Sequence, residues 1–376
     1  MKCPVCRGIR FEKIFHQKKL KIFSALRNVP FIEKSRFDAS LYRCKKCGFV
    51  MQDLTPALKR FLTNFYKKEA SFFTAPPAAS VPSARTKFNI AFLNAHIHEP
   101  VRSVLEIGAY DGYFLDAVRK NFQAKEAIGI EIMQSKNRFP KIRLIHDSYP
   151  TSAVAGKKFD LIIIMNVLEH VFTPHDFMQN LGKNLTENGK ILIEIPNEQW
   201  TFESGMFSYQ HQHISYFTPI TVRRFLASLG FTIDALYRKD LDRILILCSK
   251  NKRLVPQYDF VDTSSRGYRS RSQAVLKKFK ALTISGRPVG LYGACTFTHN
   301  ILQATDVSSD VVIFDGDKRK EGTYMSDIKR PVQSWQAIDP SRLKKVVIMP
   351  LAFTREIYNF LNSKKIRTPI RKFFNA

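Results

Sequence analysis

The chain has 376 residues, 44% of them hydrophobic, an ordinary globular composition with length for two or three domains that each hold a real core. Its 60 Lys and Arg against 32 Asp and Glu give a net charge of +28, which suits nucleic acid, anionic membrane or phosphorylated small molecules, although the cations are spread along the chain and form no tail. No run approaches the roughly eighteen apolar residues of a membrane span and the start MKCPVCRG is no signal segment, so a cytoplasmic protein with no membrane span is expected.

Two CxxC knuckles come first: Cys3-Pro-Val-Cys6 and Cys44-Lys-Lys-Cys47, the second followed by Gly48, which suits a tight turn over a metal. Four thiolates bind tetrahedral Zn2+ and leave no open coordination position, so a structural zinc site is expected, with disulfides the alternative. Zinc can fold a small module that lacks its own core. The two remaining cysteines, Cys248 and Cys295, are isolated and read as small buried hydrophobes. Residues 54 to 70 predict a helix, and TAPPAASVPSA, 74 to 84, reads as a Pro/Ala/Ser linker ending the first domain.

After the helix TKFNIAFLNAHI, the segment VLEIGAYDGYFLDAV (104 to 118) predicts a buried strand, a glycine turn and an amphipathic helix. Gly108 and Gly112 let backbone approach a ligand, and Glu106, inside the apolar run, needs a partner. The next apolar run, AIGIEI, places Glu131 at a strand end, where a carboxylate can bind ribose hydroxyls. Alternation continues through IRLIHD, ending at Asp147, and KFDLIIIMNVLEH, ending near Asn166, then a helix at 174 to 186 and the strand GKILIEIPN. That spacing predicts a parallel sheet with its ligand site at the carboxyl ends, so Asp147 and Asn166 fall on the same edge as Gly108 and Glu131. Either is equally read as an ordinary turn residue.

Beyond this strand lies a loop with Gln210, His211, Gln212 and His213, followed by Tyr216, and then a helix that opens at Thr218-Pro219 and closes at Gly230. Two histidines within three residues at the ligand edge point to a functional loop, although a lone histidine is ordinarily structural. The chain is basic from about 250 to 284, with a helix through SQAVLKKFKAL. It then returns to αβ alternation with PVGLYGA, VVIFDGD, KKVVIMP and the helix TREIYNFLNS. The turn Gly290-Leu-Tyr-Gly293-Ala is a weak nucleotide signature, with no evident third glycine or ribose carboxylate.

The motifs LEIGAYDG, GIEI, FDLIIIMNVLEHV and NGKILIEIPN resemble the class I S-adenosylmethionine methyltransferases. The resemblance implies that Gly108 and Gly112 surround the amino-acid end of the cofactor, that Glu131 binds its ribose, and that Asp147 lies near its adenine; Glu106 and Asn166 join them as candidate cofactor-binding residues. Tyr110 stands where many members have a middle glycine, a variant found in the three-domain sugar C-methyltransferases. The pieces GLYGACTFTHNIL, FDGDKRKEGTYMSDIKRPV and VVIMPLAFTREI are similar to that family's closing domain. The resemblance implies an α/β chain in three parts: a zinc-binding module with a helical extension at 1–73, a Rossmann-like methyltransferase domain at 86–248, and a second α/β domain at 250–376 that closes the substrate cleft.

C-methylating relatives carry Tyr-His-Glu-His where this chain has Gln210-His211-Gln212-His213, so only the histidines match. An amide is no base, and proton removal falls to His213 or His211, with Tyr216 the third candidate catalytic residue. The expected function is methyl transfer from S-adenosylmethionine to a nucleotide-linked deoxysugar or related small polar metabolite, C-methylation being favoured by the resemblance and O- or N-methylation left open. Two alternatives stand beside it: an RNA methyltransferase whose zinc module grips the phosphate backbone, and a non-catalytic zinc-stabilised binding protein.

Overall fold

Strict alternation in the central apolar runs decides which way each side chain points. Leu105, Ile107, Ile128, Ile130, Ile162, Ile164, Ile191 and Ile193 enter one buried cluster, while Val104, Leu161, Ile163 and Leu192 enter another. Successive residues of a strand face opposite sides of a sheet, so the two clusters are the cores on its two faces. The computed structural model describes residues 1–22, 26–30, 32, 34–68, 82–133, 137–206, 209–239, 242–250, 260–284, 288–305, 311–337, 339–350, 354–364 and 368–374.

Seven strands make the central sheet: Ser103–Ile107, Glu126–Glu131, Arg143–His146, Phe159–Met165, Leu185–Pro196, Phe231–Tyr237 and Arg243–Lys250. Counted along the chain, their spatial order is third, second, first, fourth, fifth, seventh, sixth. The first five run parallel, and the seventh is antiparallel to both its neighbours. This is the Rossmann-like methyltransferase arrangement expected from the motifs. The first strand lies between the second and the fourth, so the strand order reverses there and a crevice opens at its carboxyl end.

The helices fall close to their predicted places: Pro56–Lys68, Tyr113–Phe122, Pro174–Lys183 and Pro219–Ser228. The last begins with a capping box, in which the Thr218 side chain accepts from the Thr221 N–H and the Thr221 hydroxyl accepts from the Thr218 N–H. The linker expected at 74–84 lies outside the described residues as far as 81, and the helix Pro82–His96 begins within its last part. Among the described residues no helix is long and apolar enough to cross a membrane.

The chain separates into two compact units. One comprises Met1–Glu12, Arg43–Glu198 and Gln212–Thr263, and so holds the whole central sheet and all four paired cysteines. The other comprises Lys13–Tyr42, Gln199–His211 and Ser264–Ala376. Its sheet has five parallel strands, Val289–Tyr292, Val311–Asp315, Gln333–Ser334, Lys345–Ile348 and Ile370–Lys372, in the order third, second, first, fourth, fifth. This partition by spatial proximity cuts across the three segments read from the sequence.

Candidate functional site

The glycine turn after the first strand is built from left-handed backbone. Gly108 has φ +76, Tyr110 +47 and Gly112 +81. A Cβ on Gly112 would stand 2.0 Å from Ile142 Cδ1, the movable tip of a side chain, so it is the left-handed conformation that calls for glycine there. Glu131, at the end of the second strand, secures the turn from beside it. Its Oε2 accepts from the Tyr110 N–H at 2.8 Å and its Oε1 from the Met133 N–H at 3.0 Å. Tyr110 therefore tolerates its backbone conformation because its N–H is tied to a buried carboxylate.

Beneath the turn, Glu106 is 3% exposed, and its Oε2 has no hydrogen-bond partner among the described residues. Burial, then the neighbouring charge of Glu131, pushes its carboxyl up to about 8, against a hydrogen bond from the Leu115 N–H that favours the anion; Asp111 adds a smaller push upward. The partner expected for Glu106 is thus supplied by backbone to one oxygen only. Asp111 accepts from the Tyr113 N–H at 3.1 Å and faces Arg138 at 3.7 Å. Three carboxyl groups converge where little protein cation meets them, and a cationic ligand fits that deficit.

Asp147 and Asn166 reach the same edge of the sheet. The Asp147 N–H donates to the Glu131 carbonyl at 3.1 Å, while its exposed carboxylate accepts from the Thr151 hydroxyl and the Ser148 N–H, which hold it below the usual carboxylate range. Asn166 ends the fourth strand in left-handed backbone, φ 54, with its N–H bonded to the Glu194 carbonyl at 2.8 Å. Both side chains are exposed at the crevice, as a ligand-facing residue and a turn residue alike would be.

The loop histidines part company. His213, 8% exposed, joins Glu169 and His170, with one donor atom of each within 4.8 Å of the others. The His170 and His213 rings meet edge to face at 4.9 Å, and His213 and Tyr216 at 6.1 Å. His170 Nδ1 stands 2.9 Å from the Gln212 carbonyl, and the Tyr66 hydroxyl lies 3.2 Å from the same nitrogen and donates to the same carbonyl at 3.3 Å. Burial, then the charge of His213, pulls His170 down to about 3, and burial pushes Glu169 up to about 7 although His213 opposes it. His211 belongs to the other unit, packed edge-on against Tyr209 and Phe37 with Nε2 3.3 Å from the Phe37 carbonyl; burial pulls it down to about 4.

Sequence reasoning passed over Tyr66, Glu169 and His170. The last two stand inside the NVLEH run, directly after the strand end that marks the crevice, which was the available signal. It also passed over the network around Glu194, 2% exposed on the fifth strand. Glu194 pairs with Arg243 at 2.8 Å, with Arg85, and accepts from Asn89 at 3.3 Å.

The four paired cysteines come together, with Cys3 and Cys47 Sγ atoms 3.6 Å apart and Cys6 and Cys44 3.5 Å apart. A disulfide is about 2.05 Å, so all are free thiols. Sulfurs held tetrahedrally around zinc at about 2.3 Å would be about 3.8 Å apart, and the four fit that spacing. In the second unit, Asp315 at its strand end accepts from the Ala294 N–H at 2.9 Å, a carboxylate that was not evident in the sequence; Lys320 neutralises it at 2.8 Å.

Residues 79–236 match the family described as "Methyltransferase domain". A probable S-adenosylmethionine-dependent methyltransferase of Mycolicibacterium smegmatis is 22% identical over 139 residues, which are 35% of this chain and 53% of that protein. The chain thus spans about half the length of that curated relative. Among solved structures, a putative S-adenosylmethionine-dependent methyltransferase from Listeria monocytogenes is 13% identical with a TM-score of 0.38, covering 45% of this chain and 100% of that one. The 1,6-didemethyltoxoflavin-N1-methyltransferase of Burkholderia thailandensis, solved with S-adenosylhomocysteine, is 14% identical with a TM-score of 0.40, covering 54% and 96%.

Proposed function

We propose that this chain, whose residues 79–236 are a class I methyltransferase domain, transfers a methyl group from S-adenosylmethionine to a nucleotide-linked deoxysugar or related small polar metabolite. The observation that carries the reading is the acidic convergence of Glu106, Asp111 and Glu131 around a left-handed turn at the point where the strand order reverses. When bound there, S-adenosylmethionine supplies an electrophilic methyl carbon on a cationic sulfur. Glu131 holds the turn through Tyr110 and keeps lone pairs for ribose hydroxyls, while Gly108 and Gly112 let the backbone pass close to the ligand. Asp147 and Asn166 flank the crevice and are assigned to its adenine side and rim.

The acceptor is assigned to the polar cluster of Glu169, His170 and His213. Orientation of nucleophile and methyl carbon is worth about 7–11 kcal/mol in favourable cases, and a positioned base adds a smaller factor. His213 is the loop histidine that meets these residues, so it and not His211 is assigned to the acceptor's proton, with Tyr216 packed behind it. Gln212 is fully buried, and its backbone carbonyl orients His170, a positioning role that an amide side chain leaves untouched. C-methylation remains the reading that the sugar-methyltransferase resemblance favours. The four cysteines are assigned a structural Zn2+, since their spacing fits and four ligands leave no open position.

The test is incubation with labelled S-adenosylmethionine and a panel of nucleotide sugars, read by mass spectrometry, alongside calorimetry with S-adenosylhomocysteine. Binding of the latter is expected, weakened about ten- to hundred-fold in Glu131→Ala. Absence of binding, or equal binding by wild type and variant, sinks the reading.

A further inference from the structure

We propose that Glu169, His170 and His213 bind a divalent first-row transition ion, with an oxygen of the methyl acceptor as a further ligand. The ion stands on geometry alone; the acceptor's place on it rests on the methyltransferase reading, and with the ion present His213 would hold it, the ion's acidification of the acceptor oxygen standing in for proton removal by the imidazole. Two imidazoles and a carboxylate each present a donor atom within 4.8 Å of the others. His170 Nε2 is 3.8 Å from Glu169 Oε1, too long for a hydrogen bond. Donors about 2.0–2.1 Å from a tetrahedral ion lie about 3.3 Å apart, which small side-chain rotations would reach. Independently, Glu169 is 2% exposed and its Oε2 has no hydrogen-bond partner among the described residues. A buried carboxylate oxygen left without a donor beside two imidazoles is what removal of a cation leaves behind.

The surroundings orient the donors as a metal requires. The Gln212 carbonyl, 2.9 Å from His170 Nδ1, favours the tautomer that leaves Nε2 for a ligand. Glu198 Oε1 stands 3.8 Å from His213 Nδ1, beyond hydrogen-bond distance, and places a carboxylate beside the second imidazole. Backbone fixes the two segments against each other, because the Ile214 N–H donates to the Glu169 carbonyl at 2.7 Å. The N2O donor set suits zinc, iron, cobalt or manganese better than calcium or magnesium, and three protein ligands leave positions open for an acceptor hydroxyl or enol oxygen.

The test is cobalt titration of the full-length protein after chelator treatment. Tetrathiolate cobalt has intense charge-transfer bands in the near ultraviolet, whereas a site of two imidazoles and a carboxylate has only weak visible bands. The proposal expects two equivalents, one of each kind. Glu169→Gln should weaken the second by about ten- to hundred-fold, and His213→Ala should remove its bands, both leaving the thiolate bands intact as a check of folding. Thiolate bands alone at saturation, or a second equivalent of equal strength in all three proteins, overturns it. Wild type that binds S-adenosylhomocysteine but takes no second equivalent loses the metal site and keeps the methyltransferase reading; a second equivalent without cofactor binding does the reverse.

Discussion

At the proposed donor site, Glu106 is expected to couple ligand binding to pH. Its carboxyl titrates near 8 in the folded chain against an ordinary 4.5, because burial and the charge of Glu131 outweigh the Leu115 N–H. A carboxyl raised in this way stabilises the fold fully below about pH 4.5, and that contribution is lost as pH rises through about 8. A cationic ligand favours the ionised form, so binding at pH 7 should expel a proton. Calorimetry of S-adenosylmethionine, which carries the sulfonium charge that S-adenosylhomocysteine lacks, in buffers with different heats of ionisation should detect it, and Glu106→Gln should abolish both the release and the loss of stability between pH 5 and 8. Buffer-independent heats would remove Glu106 from the donor site. The residue itself was legible as a carboxylate in an apolar run; that its neighbours would be other carboxylates was not, since Glu131 lies on a different strand.

Among elements, the fifth and seventh strands and the helix Pro82–His96 are tied together through Glu194. Arg243 enters from the seventh strand, also donating to Asn89 at 3.1 Å and packing its guanidinium over Phe88 at 5.0 Å, and Arg85 and Asn89 enter from the helix. Breaking a buried pair from one side leaves the other charge stranded, so Glu194→Leu should destabilise the protein by about 3–5 kcal/mol in urea unfolding, while Glu194→Leu with Arg243→Met should recover much of the loss. A double variant no better than the single one would show that the stranded arginine is not the cause. Glu194 stands in the predicted strand GKILIEIPN, but no local pattern could name a partner arriving antiparallel from the seventh strand.

For the whole molecule, the cysteine knuckles are part of the main core and not an appendage to it. Cys3, Val5, Cys44, Cys47 and Phe49 pack in the same buried cluster as Ile162, Ile193 and Phe217. Gly48 shows how closely the chain is drawn in, since a Cβ there would meet the Asp262 carbonyl oxygen at 2.0 Å. Loss of the proposed metal should therefore spread to the central sheet that packs in the same cluster. Cys44→Ser, or chelation of the wild type, is expected to lower Tm on the order of 10 °C and weaken S-adenosylhomocysteine binding. An unchanged melting curve after verified metal removal would separate the knuckles from the fold.

The sequence by itself determined the Rossmann-like sheet, its glycine turn, the acidic residues at its strand ends and the pairing of the cysteines. Period-two burial, glycine conformation and CxxC spacing are local properties, carried by residues within a few positions of one another. It also named Gly108, Gly112, Glu131, Asp147 and Asn166 as one edge of the sheet, because strand polarity alone puts strand ends together. Only the tertiary structure decided that His213 meets Glu169 and His170 while His211, two residues earlier, turns to Phe37, and that Tyr66 reaches His170 from 104 positions away. Those meetings depend on where a loop crosses the end of a strand remote in sequence, which side-chain periodicity does not encode.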